Sequence, residues 1–198
     1  MNLRNRKVKT VLAALLGAAL TGPALRALEF KPEFVTTENE GGYKIVEVVL
    51  KDGASRVVYC PPFAWKAEEG ERCLRFYAPG VSLADLTIEA EKAPAAQVLD
   101  AAAAERCRAW LKASVPSEST NVVMEADESN PGAVANCPTF GTTVAYTSGG
   151  TRYRKRVLFV FAPESEIRFT TATRVADFER LYPAVRRSLF SWRWERLR

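Results

Sequence analysis

The 198-residue chain contains no histidine. That removes the commonest general base near neutral pH and the commonest metal ligand. Ser-His-Asp and Cys-His catalysis are excluded in their usual forms, as are zinc sites built on imidazole. Cysteine is scarce, at four residues, and no Cys-x-x-Cys spacing occurs. Neither a redox dithiol nor a thiolate zinc ribbon is therefore indicated. There is no Gly-x-x-x-x-Gly-Lys phosphate loop, no Gly-x-Gly-x-x-Gly turn and no Ser-x-x-Lys pair. Long apolar runs are missing too. The run Val11 to Leu20 is about half the roughly 20 residues that a membrane-spanning helix needs.

What surrounds that short run is informative. Arg4, Arg6, Lys7 and Lys9 precede it, and Gly22, Pro23, Ala24 and Ala27 follow. A basic start, a short apolar centre and a small-residue exit predict a secretory signal over residues 1–27. No cysteine lies near the junction, so a lipid anchor is not indicated, and Arg4 and Arg6 are not adjacent, so neither is a twin-arginine signal. The expected location is periplasmic or secreted after cleavage.

The leader also explains the charge. The whole chain is +5, and five basic residues with no acid lie in residues 1–27. The remainder is neutral, so the high isoelectric point is no sign of nucleic-acid binding, which needs a basic face on the working protein. Residues 28–150 carry 18 acids against 11 bases, and residues 151–198 carry 12 bases against 5 acids. Two readings follow: the segments pair within one fold, or an oriented basic patch meets an acidic partner.

Apolar and β-branched patterning predicts strands at 43–50, 55–60, 72–77, 84–90, 121–125, 139–147, 152–162 and 167–171. Residues 28–42, with Pro32, several acids and Gly41-Gly42, read as an irregular lead-in. Lys51-Asp52-Gly53 suits a tight turn. Val157–Phe161 is apolar at every position, which places it centrally in its sheet. Pro94 opens a helix of about 18 residues, with Leu99, Ala103, Cys107, Trp110 and Leu111 as its stripe. A second helix over 175–190 carries Phe178, Leu181, Val185 and Leu189, and Pro183 is expected to kink or split it. Residues 43–198 are thus expected to form a single α+β domain, a central and mainly antiparallel sheet flanked by helices.

The ending is specific. Leu158-Phe159-Val160-Phe161, a turn, Ile167-Arg168-Phe169-Thr170-Thr171, then Phe178, Leu181, Pro183, Val185 and Leu189-Phe190-Ser191-Trp192 resemble the close of the PsbP-like superfamily. Residue pattern carries the resemblance over the last 40 or so residues; element order carries it over about three quarters of the chain. It implies an α/β/α sandwich and an accessory or assembly role on protein partners. The hairpin at 43–60 and the four cysteines depart from the family pattern.

Residues able to carry chemistry are few. Glu68, Glu69 and Glu71, and Asp127 and Glu128, are close in sequence but read as solvated acids without calcium-loop spacing. Ser148-Gly149-Gly150 joins two strands, which makes it a hairpin turn and not a nucleophile elbow. No catalytic residue, metal or cofactor is assigned. An even cysteine count in an exported chain makes Cys60, Cys73, Cys107 and Cys137 disulfide candidates. Cys60 ends one strand and Cys73 begins the next, so a Cys60–Cys73 bond is expected, closing a loop of about 14 residues for about 3 kcal/mol. Cys107 then pairs with Cys137 or stays a buried thiol, and four reduced core cysteines are the alternative. Arg152, Arg154 and Arg156 share one face of their strand. They form either a basic contact face for phosphates or headgroups, or a strand paired with the acidic segment.

The function expected is a non-enzymatic exported domain that docks on another exported or membrane-associated protein. Nucleic acid is not expected as a partner, and a membrane surface is possible but not indicated. The alternative is a carrier of a small apolar ligand or lipid, which requires a cavity of about 300 Å³ or more between helix and sheet.

Overall fold

The computed structural model describes residues 29–38, 40–52, 55–93, 98–132, 134–163 and 165–196. The expected leader lies outside them, as do Gly53 of the expected turn and Pro94 at the expected helix start. The described chain forms β1 (Glu29–Glu38), β2 (Lys44–Asp52), β3 (Ser55–Tyr59), β4 (Lys66–Glu69), β5 (Cys73–Tyr77), β6 (Asp85–Lys92) and α1 (Ala101–Ala113). It continues as β7 (Thr120–Met124), β8 (Glu128–Ser129), β9 (Thr139–Ser148), β10 (Thr151–Phe161), β11 (Ser165–Arg174), α2 (Val175–Leu189) and β12 (Arg193–Arg196).

The strands make two antiparallel sheets. A four-stranded sheet runs β1-β2-β3-β12, and an eight-stranded sheet runs β4-β5-β6-β11-β10-β9-β7, with β8 paired to β9. This overturns the single helix-flanked sheet: the fold is β-rich, and the α/β/α sandwich is not formed. On one side of the large sheet the second layer is mostly strand, with α2 beside it. Three segments account for the error. β1 occupies the expected lead-in at 28–42, β4 the acidic loop, and β12 the Trp192-Arg193-Trp194 tail. Each is short or rich in charge. Each becomes strand through its partner, which local propensity does not reveal.

Alternation sorts the large sheet into two faces. One packs on α1, joining Cys107 and Leu111 to Phe140, Val144, Val157, Phe159 and Phe161. The other packs on α2 and the small sheet, joining Leu158, Val160, Ile167 and Phe169 to Val48, Leu50, Tyr59, Val185, Leu189 and Trp192. β10 feeds both faces. It lies between β9 and β11, and Val157–Phe161 are all buried, as the unbroken apolar run predicts. At the centre of the second layer, Trp192 stands edge-on to Phe169, with centroids 5.1 Å apart, and 5.8 Å from Tyr59. The Tyr59 hydroxyl shares a 2.7 Å hydrogen bond with Ser188 Oγ.

The helices differ from expectation in detail. α1 begins at Ala101 because the Asp100 carboxylate accepts from the Ala103 N–H at 2.7 Å, satisfying an N–H that the helix cannot. It is shorter than the predicted 18 or so residues. α2 runs through Pro183 without splitting. Pro183 lies on the exposed side, so the lost hydrogen bond faces water while Phe178, Val185 and Leu189 anchor the buried side.

Candidate docking groove

β3 pairs with β2 only from Val48 to Asp52. β1 stays paired with β2 out to Glu38 opposite Lys44. The distal half of the β1–β2 hairpin therefore overhangs the sheet as a two-stranded ribbon. Val46, Val48 and Leu50 share one face by alternation, and Phe34 lies opposite Val48 on that face. Val48 and Leu50 are fully buried, whereas Val46 is 43% exposed and Phe34 53%. The core face of the sheet simply continues past its cover.

Across from the ribbon runs the connection between β3 and β4. Pro61-Pro62 stops β3, because proline has no N–H for the ladder. The chain then turns, with Trp65 N–H bonded to the Pro62 carbonyl at 3.2 Å and Ala64 at a positive φ of 62°. This puts Phe63 at the tip, 90% exposed. Between ribbon and turn lies a groove of about 670 Å³ lined by Phe34, Val46, Pro61, Phe63 and Trp65, with Lys44 as its one charged lining residue. Lys44, Ile45 and Val46 all line the groove, so it runs beside the stretch of β2 that β3 leaves unpaired among the described residues. None of these residues stood out in the sequence. The available signal was the run Pro61-Pro62-Phe63-Ala64-Trp65, apolar throughout although it falls in a connection between strands.

Cys60 also lines the groove. Its backbone N–H donates to Ser191 Oγ at 2.8 Å, and its thiol lies 3.8 Å from the Glu47 carboxylate. Burial first, and Glu47 second, push the thiol pKa up, the opposite of the lowering that activates reactive thiols. All four cysteines are free thiols. The Cys60–Cys73 bond is not formed, for a reason of sheet geometry. Leu74 and Phe76 point towards Tyr59 and the small sheet; Cys73 alternates with them and points to the opposite face. Cys107 and Cys137 are separated in the same way. Cys107 is buried on the sheet-facing side of α1, where burial pushes its pKa up to about 12. Cys137 packs against the cluster on the other side.

The arginines do share a face. Arg152, Arg154 and Arg156 sit opposite Thr147, Ala145 and Thr143 of β9. Arg152 is exposed, but the other two are engaged with acids of the preceding segment and with α2. Arg154 pairs with Glu125 at 3.0 Å and Glu179 at 2.6 Å; Arg156 pairs with Glu128 at 2.7 Å. Glu68, Glu69 and Glu71 are exposed on and beside β4, and Asp127 pairs with Arg108 at 2.6 Å. Among the described residues no group of three or more acids and cysteines is placed to hold a metal ion, and no helix is long and apolar enough to cross a membrane. The pocket lined by Leu158, Tyr182 and Leu189, between α2 and the large sheet, has about 20 Å³ of free space, about one water.

No protein-family model matches the chain, and no curated protein matches it. Solved structures do match. Cyanobacterial PsbP (CyanoP) from Synechocystis sp. PCC 6803 superposes with a TM-score of 0.53 at 9% identity, over 92% of this chain and 99% of that one. LpqN of Mycobacterium tuberculosis, described as involved in cell envelope biogenesis, superposes with a TM-score of 0.51 at 9% identity, over 83% and 91%. The chain has a PsbP-like fold. The resemblance read from residues 158–192 is thus borne out as a likeness of fold. A Bacteroides thetaiotaomicron structure aligns at a TM-score of 0.44 and 15% identity, over 72% of this chain; the chain spans 45% of that structure's length.

Proposed function

We propose that this chain is an exported, non-enzymatic accessory domain that docks on another exported or membrane-associated protein through the β1–β2 groove. The carrying observation is an open apolar trough beside the stretch of β2 that β3 leaves unpaired. The occupant is an extended segment of the partner. Its backbone pairs with the edge of β2 that β3 leaves open before Val48, and its apolar side chains, at alternate positions, fill the space between Phe34, Val46, Phe63 and Trp65. Strand addition of this kind draws affinity from main-chain hydrogen bonds and specificity from side-chain pockets. The fold shared with PsbP and LpqN and the leader-like residues 1–27 support the accessory and exported parts of the reading. A carrier would enclose its ligand, and the two pockets lined by α2 and the large sheet, of about 20 and 240 Å³, fall below the roughly 300 Å³ such a site needs.

A photoreactive amino acid at Phe63, introduced into the full chain in the native host, tests the reading. A discrete protein adduct, lost when Phe34→Ser is added, is the expected outcome. A lipid adduct, or no adduct at Phe63 and at Phe34 alike, overturns it.

A further inference from the structure

A second recess lies on the α2 side of the large sheet and shares no lining residue with the groove. It has about 240 Å³ of space, lined by Glu125, Glu128, Thr143, Arg154, Arg156, Phe178, Tyr182 and Arg186. Its cationic half is tightly built. Phe178 and Tyr182 stack at 5.0 Å, with the Arg154 guanidinium 5.1 Å from the Phe178 ring and that of Arg156 5.3 Å from the Tyr182 ring. Arg156 is buried; its Nε donates to the Tyr182 hydroxyl at 2.7 Å and Nη1 to Thr143 Oγ1 at 2.9 Å. Gly141 lies beneath it: a Cβ there would fall 2.6 Å from Nη2. The sheet backbone keeps that place clear for the guanidinium.

The anionic half is loose. Glu128 on Arg156 is 52% exposed and Glu179 on Arg154 is 81% exposed, and exposed carboxylates hold their partners weakly. Arg186 lines the recess with no ion pair among the described residues. The Tyr182 hydroxyl accepts from Arg156, which leaves its own hydrogen to donate.

We propose that this recess binds a small doubly charged oxyanion, of phosphate or dicarboxylate size, which displaces Glu128 and Glu179. With those two carboxylates swung into water, Arg154, Arg156 and Arg186 face one remaining acid, Glu125, and the net charge matches a dianion. Arginine forks suit planar and tetrahedral oxyanions geometrically. The volume falls below the roughly 300–1,000 Å³ of sites for larger ligands, which fits a small group.

The test titrates inorganic phosphate into the full chain by calorimetry at fixed ionic strength. Saturable binding is expected, weakened about tenfold or more by Arg186→Met, since one charge-assisted contact is lost. Glu128→Gln is expected to tighten it by removing the competitor. If the two glutamates are only structural partners, Glu128→Gln leaves binding unchanged or weaker, and the proposal falls. It falls too if neither phosphate nor succinate binds saturably to the wild type or to Glu128→Gln. A parallel arm sediments the protein with phosphatidic-acid vesicles. Co-sedimentation competed away by free phosphate supports the recess with a lipid headgroup as one source of the anion. Vesicle binding that phosphate does not compete, with no saturable phosphate binding in solution, overturns it.

Discussion

The two halves of β2 carry one pattern and meet two fates. Val48 and Leu50 are fully buried against Tyr59, Phe169 and Trp192; Val46, one step further along the same face, is 43% exposed. Nothing intrinsic to the residues separates them. The difference is cover, because β3 and the rings behind it stop at Val48. An apolar strand face is thus core where the chain supplies a second layer, and an open apolar surface where it does not.

This contrast can be broken at several points. The largest effect belongs to the covered half. Trp192→Ala removes the ring between Tyr59 and Phe169, and a loss of about 3–5 kcal/mol by chemical denaturation is expected; a loss under about 1 kcal/mol would mean the two layers are held by something else. The sharpest comparison uses one residue type. Val48→Ala should cost about 2 kcal/mol through the cavity it leaves, whereas Val46→Ala should stay within about 0.5 kcal/mol. Equal losses would show that the overhanging ribbon is covered after all.

The opposite face of the large sheet offers an electrostatic version. Asp85 is partly buried; burial holds its pKa above the usual carboxylate range, against the Thr87 hydroxyl and the nearby Arg75 and Lys155 charges. The folded state therefore binds this proton more tightly than the unfolded state. Its contribution to stability is largest below the unfolded carboxylate pKa and is lost as pH rises through the raised folded value. Asp85→Asn should accordingly raise the denaturation midpoint at neutral pH. The gain should fade as pH falls through the carboxylate range. A lower midpoint at pH 7 would assign Asp85 a net favourable pairing instead. The smallest stability effect is Phe63→Ser, within about 0.5 kcal/mol, paired with loss of the crosslinked adduct at Phe34. Loss of the adduct together with unfolding would remove the distinction between the halves.

Sequence alone located the long central strands and both helices, because the unbroken apolar run Val157–Phe161 and the periodic stripes of Cys107–Leu111 and Phe178–Leu189 are legible locally. It missed β1, β4 and β12, whose residues become strand only beside partners far along the chain. The groove was invisible for the same reason: Phe34 and Phe63 meet only after β1 folds back on β2 and Pro61-Pro62 turns the chain. The Cys60–Cys73 expectation rested on closeness in sequence and on strand ends. It failed on alternation, since one thiol points to each side of the large sheet. The arginine face was legible as a face, but its acid partners in the β7–β8 stretch and on α2 were not.

The four-stranded sheet has its first and last described strands at its two edges. β3 waits for β12, and the pairing of Arg56 with Glu195 closes a separation of 139 residues. A chain emerging amino-terminus first from a ribosome would present a bare β3 edge and an uncapped Tyr59 until residues 192–196 had followed. Such long closures fold slowly, so the interval before β12 arrives is when this protein most needs shielding from its neighbours.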